Sequence, residues 1–343
     1  MIDDLTMDSK TLLCQGVVAA SQKNKIDEAV EMLNEAAFRD KLDHRPYYLA
    51  GRILAAAGRY DEALTYFGRA SKRYNLIKVP ALRLGRQVLK EKGSDEAVRF
   101  LEKANNRNLC SYECQGFLAG LYHKESMDKD ARDLYDAMIK ENPDEPAAYM
   151  GLAQISNAEK DYKKEADLLE QAASSGGFNK LSDAQKGAIY HSGAFALYNL
   201  GEYQNAKDKI SKALQFGDFP EWWLLSGWIY AKLDDPAMAG IKFNKAIDKD
   251  DKLAPAYIGR GDTSLKLGQS KAAVDAYKRA VYLDPLDAVY KLKLALALAQ
   301  DSQIEDAKNL LSDAIKMGGQ HLPADLLKDV SNAISAAPED SVR

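Results

Sequence analysis

The sequence predicts an all-α solenoid, a row of stacked helix pairs, on three observations: small residues return every 34 positions, each return opens a stripe of helical spacing, and another small residue lies upstream of the stripe. The returning residues are Ala29, Ala63, Ala97 and Ala131, then, after one interruption, Ala206, Ala239, Ala273 and Ala307, the step from Ala206 to Ala239 being 33. Seven places after each stands Ala36, Ala70, Ala104, Ala213, Ala246, Ala280 or Ala314, with Met138 as the exception. Seven residues make two helical turns. Four places after the first small residue come Leu33, Phe67, Leu101, Tyr135, Ile210, Phe243, Tyr277 and Leu311, which gives one helix per unit a narrow small-large-small stripe.

A second helix precedes each stripe and carries its own small residue: Gly51, Gly85, Ala119, Ala153, Ala194, Gly227, Gly261 and Ala295. Small residues on both helices let the axes approach, and Tyr47, Tyr122, Trp223, Tyr230 and Tyr257 are expected to fill the space between neighbours. Trp222 has no evident place in this scheme. Gly58-Arg59-Tyr60-Asp61 and Gly201-Glu202-Tyr203 read as the turns within a pair, where glycine supplies the left-handed residue that ends a helix. Pro143 and Pro285 stop the second helix of their units.

The segment from Tyr257 to Pro285, with Gly261, Ala273, Tyr277, Ala280 and Pro285, resembles the tetratricopeptide repeat consensus. Nine such units begin near residues 10, 44, 78, 112, 146, 187, 220, 254 and 288. The expected layout is a leader at 1–9, repeats one to five at 10–173, a longer connection at 174–186, repeats six to nine at 187–321, a capping helix at 322–337 and a tail at 338–343. The connection, which contains Ser174 to Lys180, reads as a tolerated surface insertion or as a hinge or contact loop. The resemblance implies a right-handed superhelix whose concave wall is formed by the first helix of each unit.

Composition narrows the function. A net charge of −4 argues against a dedicated nucleic-acid binder, and no apolar run approaches the length that spans a bilayer. Asp3, Asp4 and Asp8 stand where a secretory signal would be basic, and three cysteines suit reduced thiols, so a cytoplasmic protein is expected. His44, His123, His191 and His321 are scattered, and none has the nucleophile and acid spacing of a hydrolase. Cys110 and Cys114 share a helical face but lack the further ligands zinc requires, and Arg260-Gly261-Asp262 falls inside a helix at a packing glycine. Neither enzyme activity, nor a cofactor, nor a metal is expected.

The partner is expected on the concave wall. Helical projection places Arg45, Tyr48 and Arg52 of the second unit there, with Leu82, Arg83 and Arg86 of the third. The stretch 39–107 holds sixteen Lys or Arg against eight Asp or Glu, and ten of the chain's fourteen arginines. Arginine favours forked capture of carboxylate or phosphate, so Arg45, Tyr48, Arg52, Arg83 and Arg86 read as a site for an acidic or phosphorylated segment. In the later units Phe195, Tyr198, Leu224 and Trp228 project onto the same wall and suit an apolar helix. The lysine and asparagine clamp with which co-chaperones of this family hold acidic tails is missing, because its first places read Cys14, Val18 and Leu49. A non-enzymatic scaffold or adaptor for protein complexes is the expected function. The alternatives are a chaperone-like carrier and, behind it, a nucleic-acid-associated factor using the basic second and third units; self-association is left open.

Overall fold

The computed structural model describes residues 8–74, 79–318 and 321–336. Within these residues it has nineteen α-helices and no strand. The start of the leader at 1–7, residue 78 where the third unit was expected to begin, and the tail at 338–343 lie outside the described residues. The first nine helices are α1 (Ser9–Ala19), α2 (Ile26–Arg39), α3 (Arg45–Ala56), α4 (Tyr60–Arg73), α5 (Ala81–Lys92), α6 (Ser94–Asn106), α7 (Tyr112–Lys124), α8 (Asp128–Glu141) and α9 (Pro146–Ala158). They are followed by α10 (Tyr162–Ser174), α11 (Asp183–Asn199), α12 (Tyr203–Phe216), α13 (Pro220–Lys232) and α14 (Pro236–Lys249). The last five are α15 (Ala254–Lys266), α16 (Ser270–Leu283), α17 (Ala288–Gln300), α18 (Ile304–Gly318) and α19 (Ala324–Ser335).

The chain divides into two compact units, Met1–Ile155 and Ser156–Arg343, with the boundary inside α9. In the first, α1 packs on α2, α3 on α4, α5 on α6 and α7 on α8, and α2 and α6 also pack on the helix that follows. In the second, the pairs are α11 with α12, α13 with α14, α15 with α16 and α17 with α18, each second helix touching the next first helix; α19 then covers α17. From α1 to α18 the helices pack mainly on their neighbours in sequence, the contact pattern of a repeat stack.

In seven of the helix pairs the turn has one conformational requirement, met at a constant place. Gly58, Gly201 and Gly268 have φ of 74°, 79° and 72°, and Ser126, Lys160, Asp234 and Ser302 adopt φ of 61° to 63° at the same point of other units. The left-handed residue ends the first helix and turns the chain back within one or two residues.

The core is made by fitting a large residue of the second helix against a missing side chain on the first. A Cβ on Gly51 would lie 2.9 Å from Phe67, one on Gly85 2.5 Å from Leu101, one on Gly227 2.5 Å from Phe243, and one on Gly261 2.4 Å from Tyr277. The returning alanines, from Ala29 to Ala307, are fully buried. Two details depart from the sequence pattern. A Cβ on Gly16, rather than on Val17 one step of 34 before Gly51, would lie 2.9 Å from Leu33, because the connection with the short 3₁₀ turn Lys23–Lys25 is one residue longer. Leu311, the last of the large stripe residues, is only partly buried.

The longer connection is tied down at both ends. Phe178, in a 3₁₀ turn, is buried edge-on to Tyr190 with ring centroids 5.6 Å apart, and Ser182 forms a reciprocal capping box with Gln185 at the start of α11. At the C-terminal side, Val330 of α19 is buried with Leu292, Ala295 and Ala314, so α19 closes apolar surface that α17 and α18 would otherwise expose.

The interruption in the alanine series has a specific identity. The step of 34 from Ala131 lands on Glu165, which is 3% exposed and accepts a hydrogen bond from Asn157 Nδ2 at 2.9 Å. Burial pushes the Glu165 carboxyl above the usual range, and the Asn157 bond only partly opposes this. A carboxyl raised in the fold costs nothing where both states are protonated, and its cost appears as pH rises past the ordinary carboxylate value. Glu165→Gln is therefore expected to raise stability at pH 7 by on the order of 1 kcal/mol, an advantage that shrinks as pH falls and is gone below about 4 in thermal unfolding. Ala239→Leu, which overfills the seam between α13 and α14, is expected to lower stability by about 1–3 kcal/mol, read from denaturant midpoints.

Candidate functional site

The buried stripe of each first helix determines what its other face offers. In α3, Pro46, Ala50, Gly51, Leu54 and Ala55 are buried, leaving Arg45 and Arg52 exposed with Tyr48 partly buried beside them. In α5, Ala81, Leu84, Gly85 and Val88 are buried and Arg83, Arg86 and Lys90 are exposed. Arg52 and Arg86 thus stand at equivalent points of consecutive first helices. Neither Arg52 nor Arg83 has a charged or hydrogen-bonding partner among the described residues, and the Arg86 guanidinium lies 5.4 Å from the centre of the Phe117 ring on α7. Tyr48 is held edge-on to Phe67, ring centroids 5.5 Å apart.

Arg45 differs. It forks onto Asp43, with Nε 2.9 Å from Oδ1 and Nη2 2.8 Å from Oδ2. Burial works against ionisation of Asp43, yet the Arg45 hydrogen bonds outweigh it and hold the carboxyl below its usual range. Most other arginines of the basic stretch are also engaged. Arg73 donates to the carbonyls of Ala37, Asp40 and Asp43 at 3.0, 3.2 and 2.7 Å and so finishes the end of α2. Arg59 binds Asp27 at 2.5 Å and Glu62 at 2.6 Å, and Arg99 binds Glu96 at 2.8 Å. Charge available to a ligand on this face is concentrated in Arg52, Arg83 and Arg86.

On α11 and α13 of the second unit the equivalent places are apolar. Phe195 of α11 is 39% exposed and stands edge-on to Tyr162 at 6.3 Å between ring centroids. Tyr198, Leu224 and Trp228 are partly buried; Trp228 packs edge-on against Phe243 at 4.9 Å, and Tyr198 lies 5.6 Å from Tyr203. The next equivalent place, on α15, is Asp262, which accepts from Tyr277 Oη at 2.5 Å and pairs with Lys293 at 2.6 Å. The Arg260-Gly261-Asp262 tripeptide is accordingly helical, with its glycine buried and its carboxylate occupied.

The tetratricopeptide repeat family matches residues 16–75 and 129–179, and again residues 254–285. The fold is similar to that of several solved structures. One is the C-terminal part of a TPR repeat-containing protein from Cytophaga hutchinsonii, with a TM-score of 0.55 at 15% identity over 72% of this chain and 98% of that one. A second is the APC/C hetero-tetramer Cut9-Hcn1, with a TM-score of 0.52 at 16% identity over 96% of this chain and 57% of that one. The three matched stretches of the chain are tetratricopeptide repeats. A third similar structure is pilF of Pseudomonas aeruginosa, with a TM-score of 0.52 at 15% identity over 61% of this chain and 92% of that one. No curated protein sequence matches the chain.

The tetratricopeptide fold is in general a module that binds proteins, and three further features bear on this example. The places of the co-chaperone clamp, Cys14, Val18 and Leu49, hold none of its lysine or asparagine side chains. The expectation of three reduced thiols is corrected: Cys110 and Cys114 are joined by a disulfide, since the turn into α7 brings their Cα atoms to 5.2 Å, and Cys14 alone is free. Among the described residues no three His, Cys, Asp or Glu side chains gather as metal ligands, and no helix is long and apolar enough to cross a membrane.

The tryptophans also exchange roles. Trp222 is 6% exposed, closed over Gly187 and Gly217 and stacked with His191, whose pKa burial pushes down. Trp223, expected in the core, lies partly exposed at the edge of the pair, where its Nε1 donates to Asp218 at 2.5 Å. Its ring also holds the Lys242 ammonium at 5.1 Å. Only the helix's rotation about its own axis distinguishes two adjacent indoles, and Gly187 determines which one enters. Trp222→Ala is expected to lower stability by about 3–5 kcal/mol and Trp223→Ala by about 1 kcal/mol, compared in parallel chemical unfolding curves.

Proposed function

We propose that the chain is a non-enzymatic scaffold that holds a segment of a protein partner along the exposed faces of its first helices and supports assembly of a larger complex. The observation that carries this reading is the pair Arg52 and Arg86, repeated at equivalent points of α3 and α5, exposed, and without a neutralising acid among the described residues. Exposed arginines without a neutralising acid contribute little to folding, so their presence is easiest to understand if an acidic or phosphorylated partner segment pairs with them. Arg83 adds to this surface, while Arg45 and Tyr48 frame its edge. No cofactor enters the proposal. We take its setting to be the cytoplasm, where the Cys110–Cys114 bond would face reducing conditions.

A carrier that shields an apolar partner is the second reading, favoured by Phe195, Tyr198, Leu224 and Trp228 on the first-helix faces of α11 and α13. A nucleic-acid role draws less support, because Arg59, Arg73 and Arg99 are spent on contacts within the protein.

Arg52→Glu with Arg86→Glu is expected to weaken capture of the native partner by more than about tenfold and to leave helicity and melting temperature unchanged. Retention of the same partners at physiological salt would reject the basic face, and loss only on Trp228→Ala would favour the carrier.

A further inference from the structure

The bonded pair at the start of α7 has no counterpart in the repeat pattern and takes no part in the proposed groove. Helix α7 is capped by Ser111, whose Oγ accepts from the Cys114 backbone N–H at 3.3 Å. Cys110 stands immediately before that cap and Cys114 in the first turn after it, so the disulfide spans the cap from outside the helix to inside. Around it the connection from α6 is already anchored: Leu109 is buried, its N–H donates to the Ala104 carbonyl at 2.9 Å, and Asn108 makes the bend with φ of 55°. The cap, the buried leucine and the bend do not depend on the sulfur bond, which closes a loop of only a few residues and adds little that local structure has not secured.

The two sulfurs also stand in different surroundings. Cys114 is wholly buried while Cys110 is partly exposed, so an incoming thiolate meets Cys110. Cys114 lies in the first turn of a helix, the end that stabilises a thiolate as it leaves. We propose that Cys110 and Cys114 form a reversible two-electron couple whose reaction partner is a dithiol, with Cys110 the attacked sulfur and Cys114 the leaving one. In the reducing direction a dithiol thiolate attacks Cys110 Sγ, the bond to Cys114 breaks with its electron pair remaining on Cys114 Sγ, and that thiolate takes a proton from water. The reductant's second thiolate then attacks its own sulfur in the mixed disulfide and releases Cys110, which is protonated in turn. The dithiol loses two electrons and two protons to the pair, and the reverse sequence with a disulfide oxidant closes it again.

The test uses the full chain carrying Cys14→Ser, so that only the pair reports, equilibrated at a series of reduced-to-oxidised dithiothreitol ratios without denaturant. It is quenched with acid and then labelled with N-ethylmaleimide in denaturant, the variant with Cys114 as its single cysteine being labelled without denaturant. Mass spectrometry is expected to show a passage from no maleimide to two per chain, along one curve that superposes in both directions, while the helical circular dichroism stays constant. Two maleimides at every ratio would overturn the couple, as would none at the most reducing ratio. Loss of helicity on reduction would equally overturn it, since the bond would then be a structural staple. In a chain that also carries Cys110→Ser, the buried Cys114 is expected to label slowly; rapid labelling would refute Cys110 as the point of attack.

Discussion

The contact on which the rest of this structure depends is the seat of a large second-helix residue against a position on the first helix that has no side chain. Phe67 over Gly51, Leu101 over Gly85, Phe243 over Gly227 and Tyr277 over Gly261 are four instances of one arrangement. Each brings two helix axes close and aligns them, and the fully buried alanines above and below, such as Ala63 and Ala70, keep the approach even along the pair. A methyl group at the glycine would sit within 3 Å of ring or branch carbons, so the geometry tolerates little variation. Because each pair is specified internally, units can be added without reference to a common core, and the turn residue has only to reverse the chain.

A second rule operates at the rim of the pairs, where aromatic rings hold cations of the adjoining helix. The Arg73 guanidinium lies 4.4 Å from the centre of the Tyr47 ring, the Lys212 ammonium 5.5 Å from that of Tyr190, and the Lys242 ammonium 5.1 Å from that of Trp223. A long basic side chain lays its stem along the ring and keeps its head in water, covering apolar edge that glycine-tight packing leaves open. Many basic residues are therefore structural, and a count of charge along the sequence overstates the charge offered to a ligand. What survives this accounting, Arg52, Arg83 and Arg86, is a smaller and better defined surface than the basic stretch of 39–107.

Function in such a stack needs no pocket. The first helices repeat at a constant step, so a side chain placed once per unit recurs at a constant interval, and an extended partner segment can be met by a row of identical or graded groups. The first unit carries arginine at these places on α3 and α5, and the second, taken by itself, carries Phe195 and Trp228 on α11 and α13. Differences of this kind let one fold address partners of different chemistry without altering its core.

The period of 34, the alternation of small and large residues and the helix-ending glycines were legible in the sequence because each follows from local spacing, and they determined the helical class, the pairing and the identity of the repeat. The exposed positions of Arg52 and Arg86 were legible for the same reason, since they lie opposite the buried stripe. What only the tertiary structure decided depends on neighbours distant along the chain. Asp43 occupies Arg45, Gly187 draws in Trp222 and leaves Trp223 at the rim, and Leu33 selects Gly16 as its partner and shifts the first unit by one residue. Cys110 and Cys114 meet because Ser111 begins a helix between them, and Glu165 is buried because it inherits an alanine's place. Spacing says which face a residue takes, but the rotation of that face and the partner it finds are set by shape and charge on another helix, which no single segment contains.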